Sequence, residues 1–505
     1  MADYLNELQR VTPESVGVSS GQVEKLVNAL QHEFTSMNGF MAARHGKVFA
    51  EGWWTPYDST LVHTNHSVGK SFTCTALAVA ESEGFLSFDE KMVDIFADEI
   101  REAEIEPEPL LKEITLRDAI TMTNGMAHHP AVTDDWICDY FRTPMKYQPG
   151  TRFMYNSSGS FLLGAVVTKK TGRDLKDYTT EKIFNKIGID AERFTWLKFP
   201  NGIYAEPGTL AVTEDLLRLS MLYCQGGMWN GERVLPEKFV KEALSVHVDT
   251  SYAPEELDGR CGYGYQLWAC SRPGVYRFDG GQGQFGIICP EKDLVVAIHE
   301  GAMMPYGPQA TLDAIYENLI DVITDDKPLP ENAEAQKKLV RVLNDLRMPQ
   351  DPANTFDIHE DMNGTYKITK GSFDPWMSVA PPRANDFFCL FRNREKDIPL
   401  TGFELKEEGN GIRVKFGQAE FLAYYDGEQR LQEFENVFDG LDALSATARY
   451  INRYTLEVTI HWMNSWTVTK LQFEQRNGGL HMVILKLRLN EEDNWLVSHC
   501  RAEKQ

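Results

Sequence analysis

Residues 63–85 read HTNHSVGKSFTCTALAVAESEGF, and their centre, Ser67-Val68-Gly69-Lys70-Ser71, admits two chemistries. Gly-Lys-Ser closes a phosphate-cradling loop, but that loop also needs a glycine five positions before Gly69 and an apolar strand ahead of it. Thr64 stands at the glycine position and the preceding segment is polar, so the phosphate reading fails twice. The other pattern is Ser-x-x-Lys. On a helix beginning at Ser67, Lys70 lies one turn on and on the same face, with its amine in reach of the Ser67 hydroxyl. A helix N-terminus adds unpaired N–H groups and the positive end of the dipole, which favour an alkoxide and later an oxyanion. A lysine there acts as a base when burial and a nearby cation hold it partly deprotonated. The same four residues also fit an N-cap serine followed by a solvated lysine.

Two further stretches carry residues of the right type. In QPGTRFMYNSSGSFLLG (148–164), Tyr155 follows a Pro-Gly turn and precedes an apolar helix. Its hydroxyl can enter a cleft and serve as a general base beside a lysine cation. In RFDGGQGQFGIICP (277–290) a glycine-rich strand edge lets a substrate backbone approach, and its N–H groups can complete an oxyanion hole.

Together these motifs resemble the serine β-lactamase and penicillin-binding-protein superfamily, in particular its class C β-lactamase, D-aminopeptidase and esterase branch. ITLRDAITMTNGM (114–126), the 207–235 segment PGTLAVTEDLLRLSMLYCQGGMWNGERVL and YGYQLW (263–268) extend the likeness to about residues 10–325. The resemblance implies Ser67 as nucleophile, Lys70 as its activator and Tyr155 as the proton shuttle to the leaving group. It implies Ser157 as a supporting substrate contact, and it sets the strand motif on Gly281-Gln282-Gly283. The N–H of Gln284 would then join that of Ser67 in the oxyanion hole. The relatives carry Lys-Thr-Gly or His-x-Gly in that strand. Here no cation stands at Gly281, which weakens a β-lactam or D-Ala-D-Ala substrate and leaves Lys70 as the motif cation near Tyr155.

Those residues need elements to hold them. Residues 38–54 read as a hairpin around His45-Gly46-Lys47, and Ser71 onward reads as a helix ending near Gly84. GYGYQLW, GVYRFDG, QFGIICP and DLVVAIHEG (262–301) read as strands, followed by a helix at 308–324. Early strands, a helical middle and late strands predict an α/β (α+β) hydrolase domain over 1–325: an antiparallel sheet flanked by helices, with a helical subdomain. Residues 326–355 read as a linker with a short helix near Leu339–Leu346. Residues 356–505 read as a separate β-barrel or sandwich, with Tyr454, Leu456, Val458, Ile460 and Trp462 alternating along one strand. Asn477-Gly478 marks a hairpin between Leu471–Phe473 and Met482–Ile484.

The bulk numbers set limits. A chain of 505 residues exceeds one ordinary core. A net charge of −23 argues against nucleic acid or an anionic membrane as partner. There is no apolar run of spanning length and no secretory leader pattern at the N-terminus, so a cytoplasmic location is expected, with free thiols for the eight scattered cysteines. The motifs call for no metal or organic cofactor; His63, His66, His128 and His129 lack the further ligands a zinc site needs. Asp134, Asp135, Trp136 and Tyr140 read either as a cover over the cleft or as a solvated loop with an aromatic anchor, and Trp268 as core. The expected partner is a small molecule or short peptide cleaved at an amide or ester bond. A β-lactamase or D-Ala-D-Ala carboxypeptidase is the second enzyme reading and a catalytically silent scaffold the non-enzyme one. Homo-oligomerisation is left open by the sequence.

Overall fold

The computed structural model describes residues 7–505 apart from 200, 254–256, 304–305, 325, 379–392, 394, 436, 477 and 488–494. Helix α1 (Ser20–Leu30) opens with a Ser19/Gln22 capping box and buries Val23, Leu26, Val27 and Leu30 on one face. Strands β1 (Thr35–Arg44) and β2 (Lys47–Trp53) form the expected hairpin, with His45 and Gly46 both at positive φ in the turn. After the two-residue strand β3 (His63–Thr64) comes helix α2 (Val68–Ser82), buried continuously from Val68 to Ala80. A helix buried on all sides runs through a core. The helical subdomain beside it includes α3 (Ser157–Thr171), which packs on α2. Strands β4 (Thr195–Lys198) and β5 (Tyr204–Ala211) join β3 in a small sheet in the order β3-β5-β4.

Helix α4 (Thr213–Cys224) leads back to the main sheet and packs on it. That sheet is completed by β6 (Trp268–Ala269), β7 (Tyr276–Gly280), β8 (Gln284–Cys289) and β9 (Leu294–Ala302). Its order is β2-β1-β9-β8-β7-β6, antiparallel throughout, so first and last strands of the domain pair at its centre. The stretch 262–267, expected as strand, is not one. Gln266 takes a positive φ and spends its amide on Ser160 and the carbonyls of Ala119 and Ile120, tying the sheet edge to the helical subdomain. Helix α5 (Tyr306–Ile315) continues through a π-helical turn, Tyr316–Ile320, and buries Leu312, Ile315, Tyr316, Leu319, Ile320 and Ile323 as the periodicity predicts.

The linker helix differs from its sequence reading. Helix α6 runs Ala333–Asn344, starting earlier because Asn332 caps it by accepting from Ala335 N. It lies against α1, and Leu339, Leu346 and Met348 enter the core layer beneath the sheet. Residues 333–348 therefore pack as part of the first body.

The C-terminal part is a barrel of nine strands among the described residues, from Gly364–Gly371 to Trp495–Lys504. One parallel contact, Tyr424 with Thr447, closes it. Leu456, Val458, Ile460 and Trp462 fill its interior, while Tyr454 falls in the preceding turn and is exposed. The 471–484 hairpin forms with Phe473 opposite Met482; Asn477 lies outside the described residues.

The docked α6 yields a stability test. Leu339→Ala is expected to cost about 2–5 kcal/mol, the usual price of a buried leucine, read as a lower urea midpoint for the first transition. A surface-like change below about 0.5 kcal/mol would return α6 to the status of a tether.

Candidate active site

Ser67 is the N-cap of α2, half-buried, at the end of a tight turn in which Val68, Gly69 and Lys70 donate to the carbonyls of Asn65, His66 and Ser67. His66, just before it, holds a positive φ of 45°, a strained conformation for a residue with a side chain. Lys70 is buried, and its Nζ donates to Ser67 Oγ at 2.9 Å. The same Nζ lies 5.1 Å from the Tyr155 ring centroid.

Tyr155 is placed by the start of α3. Asn156 caps that helix, its Oδ1 accepting from Gly159 N at 3.1 Å, and Ser157 begins it, half-buried. The Tyr155 ring stacks on Trp268 at 6.0 Å and 15° between planes. Behind Trp268 sits the Arg277 guanidinium, 5.7 Å from that ring, with Arg277 Nε donating to Asp279 at 2.7 Å. Arg277 and Asp279 were missed by the sequence reading. Two opposite charges at i and i+2 on a strand share one face, and that alternation was the available signal. Trp268, expected as core, is mostly buried but forms this wall beside Tyr155.

Gly281, Gln282 and Gly283 form the loop between β7 and β8, with Gln282 and Gly283 at positive φ. Gly280 and Gly281 face the Ser67 turn: a Cβ on Gly280 would strike the Asn65 carbonyl, and one on Gly281 would lie 3.9 Å from the His66 ring. Gln284, whose backbone N–H was the group expected in the oxyanion hole, turns its side chain inward. It begins β8 opposite Gly280, is fully buried, and its amide donates to the carbonyls of Gly281, Gln282 and Glu300. The end of β7, one strand nearer, is what meets the Ser67 turn.

Beneath this loop lies a buried polar layer. His299 bridges Asn65 Oδ1 (3.0 Å) and Thr213 Oγ1 (3.2 Å), and His63 bonds the Thr64 carbonyl (3.1 Å) and packs 5.3 Å from His299. Burial lowers all three imidazoles: His63 to about 4, and His66, pushed further by His63 and Lys70, to about 3; His299 falls well below 6.5. They are neutral at pH 7. Glu300 accepts from Thr35 and Thr311, and its other oxygen fills the space a Gly283 side chain would need. Burial pushes its carboxyl up to about 8. The floor of the site is thus polar but uncharged.

The barrel reaches this floor. In the turn between strands Thr455–Trp462 and Val468–Arg476, Asn464 accepts from Thr64 N at 2.8 Å through its carbonyl. Its side chain donates to Val62 O (3.0 Å) and accepts from Ala443 N (2.7 Å). β3, which runs into the Ser67 turn, is therefore clamped by the second body. Nothing local in residues 455–476 signals such a contact.

Other sequence candidates lie elsewhere. His128 and His129 are exposed. Trp136 stacks on Phe199 and Tyr140 bonds Asn124, both buried, so they anchor the loop and do not cover the cleft. Among the described residues no group of three or more His, Cys, Asp or Glu is arranged around a common metal position, and no helix is long and apolar enough to cross a membrane.

The family model for Beta-lactamase matches residues 26–300, more than half the chain, from within α1 to within β9. The chain belongs to the Beta-lactamase family. A "Putative D-alanyl-D-alanine carboxypeptidase" of Escherichia coli (strain K12) is 40% identical over 48 residues, 10% of this chain and 11% of that protein. The aligned stretch thus spans about a tenth of the curated relatives' length. Similar solved structures include a "Putative 6-aminohexanoate-dimer hydrolase from Bacillus anthracis", with 17% identity, a TM-score of 0.49, and 65% of this chain and 90% of that one covered. The octameric penicillin-binding protein homologue from Pyrococcus abyssi has 17% identity and a TM-score of 0.46, over 96% of this chain and 98% of that one.

Two outcomes test this Beta-lactamase-family site. Glu300 keeps its proton to about pH 8 when folded and to about 4.5 when unfolded. The folded state then binds more protons between those values, so this group's contribution to stability falls as pH rises through them. Glu300→Gln is expected to flatten the decline in urea midpoint from about pH 5 to 9; an unchanged slope would contradict the assignment. Asn464→Ala strands two buried backbone groups and is expected to cost about 1–3 kcal/mol, with faster amide exchange across residues 62–67. Exchange unchanged there would show that the turn does not hold β3.

Proposed function

We propose that the chain is a serine hydrolase that cleaves an amide or ester bond of a small molecule or short peptide through an acyl-enzyme on Ser67. The 2.9 Å bond from a buried Lys70 Nζ to Ser67 Oγ carries this reading. An ammonium in that position is costly, so burial favours the neutral amine that can take the serine proton. Attack of Ser67 Oγ on the carbonyl forms the tetrahedral intermediate. The Ser67 N–H and an N–H from the Gly280–Gly281 end of β7, in place of Gln284, stabilise its oxyanion. Tyr155, beside Lys70, returns the proton to the leaving group. Water then releases the acyl group by the reverse transfer. Ser157 and the Gly281–Gly283 loop border the substrate. The site as drawn uses no metal or organic cofactor.

A β-lactam or D-Ala-D-Ala substrate offers a carboxylate, for which the relatives keep a strand cation. The corresponding edge here carries Asp279, which favours the esterase, amidase or D-aminopeptidase reading.

Hydrolysis of p-nitrophenyl esters and of D- and L-aminoacyl p-nitroanilides tests the proposal. Ser67→Ala is expected to abolish turnover, and Lys70→Met and Tyr155→Phe to lower kcat by about 10²–10⁴-fold, the range for a lost general base. Full activity in Ser67→Ala would overturn the mechanism. No turnover of any member of the panel by the wild type would favour a scaffold.

A further inference from the structure

The wall opposite Ser67 carries an acidic group. β7 pairs with β6 only at Tyr276 and Arg277, so Phe278, Asp279 and Gly280 form an edge with no strand partner on that side among the described residues. The edge ends at the nucleophile turn, where Gly280 meets Asn65 and Gly281 meets His66. Phe278 turns into the core against Tyr223, 5.0 Å between centroids. By strand alternation Arg277 and Asp279 share the other face, and there they extend the Tyr155–Trp268 stack.

This face holds an ion pair whose two members differ in exposure. Arg277 is buried, with Nε on Asp279 Oδ2 and Nη1 on the carbonyls of Asp258 and Ala269. The Asp258 carboxylate, also buried, is held by Ser271, Gln309 and Tyr316. The carboxylate that Arg277 contacts is therefore that of Asp279. Of the pair, Asp279 is the reachable member: a quarter of its side chain is open, against a twentieth for Arg277. Arg277 fixes Asp279 through one oxygen and leaves Oδ1 to a ligand. The neighbouring Gly280 abuts the Asn65 carbonyl, which places Asp279 one residue from the Ser67 turn.

We infer that Asp279 is a specificity residue that recognises a cationic amine in the leaving portion of the substrate, on the Tyr155 side of the scissile bond. The inference rests on the Ser67 hydrolase reading. A fixed carboxylate in a partly desolvated wall attracts a cation and repels the carboxylate that a strand lysine would attract.

Acetylthiocholine and its neutral carbon isostere, S-(3,3-dimethylbutyl) thioacetate, differ in that one charge and release a thiol that can be followed continuously. Wild type is expected to favour the cationic thioester by about tenfold or more in kcat/KM, chiefly through KM, and Asp279→Asn to collapse that ratio toward one. A residue that only supports the fold would lower both substrates together and leave the ratio standing. A wild-type ratio near one, or a preference that survives Asp279→Asn, overturns the inference. Ser67→Ala separates the two levels. Ser67-dependent hydrolysis without cation preference removes the role of Asp279 alone, whereas hydrolysis independent of Ser67 removes the hydrolase reading and this inference with it.

Discussion

A buried lysine held against a serine hydroxyl is the constraint on which the other features depend. Lys70 is 2% exposed, and an ammonium so far from water is expensive unless its surroundings compensate. The environment supplies an aromatic ring, a hydroxyl and a neutral imidazole. Keeping the layer beneath the loop uncharged requires His63, His66 and His299 to shed their protons and Glu300 to keep its own. The buried α2 provides the rigid axis, placing residues 67 and 70 on one face while its remaining sides are packed.

The parts of the site legible in the sequence are those set by local geometry. Ser67 and Lys70 follow from helical spacing, and Tyr155 from a Pro-Gly turn ahead of a capped helix. The β1–β2 hairpin and the α5 stripe follow from turn chemistry and period. What was not legible depends on pairing across the chain. Gln284 was assigned to the oxyanion hole from a linear pattern, but the Gly281–Gly283 turn ends β7 and starts β8, which carries Gln284 inward. The 262–267 segment has strand-like composition, yet Gln266 is more strongly bound to the helical subdomain than to a ladder. The 326–355 segment looks like a linker because its polar face dominates, while Leu339, Leu346 and Met348, flanked by Val342 and Leu343, dock it.

The barrel changes how the chain divides. Its strand order and interior are self-sufficient, but the Asn464 turn makes its hydrogen bonds to β3, three residues from Ser67. Met463 also enters the core layer beneath the first sheet. The second body thus contributes to the position of the Ser67 turn, a coupling that composition and periodicity within 356–505 do not encode.

The most direct test is where an acyl group lands. Purified protein mixed with a p-nitrophenyl ester, quenched in acid at early times and analysed by intact mass and peptide mapping, is expected to carry one acyl group on Ser67, with slower loading in Lys70→Met. An adduct on another residue, or rapid Ser67 loading unaffected by loss of the lysine amine, would contradict the Lys70–Ser67 pair as the source of reactivity.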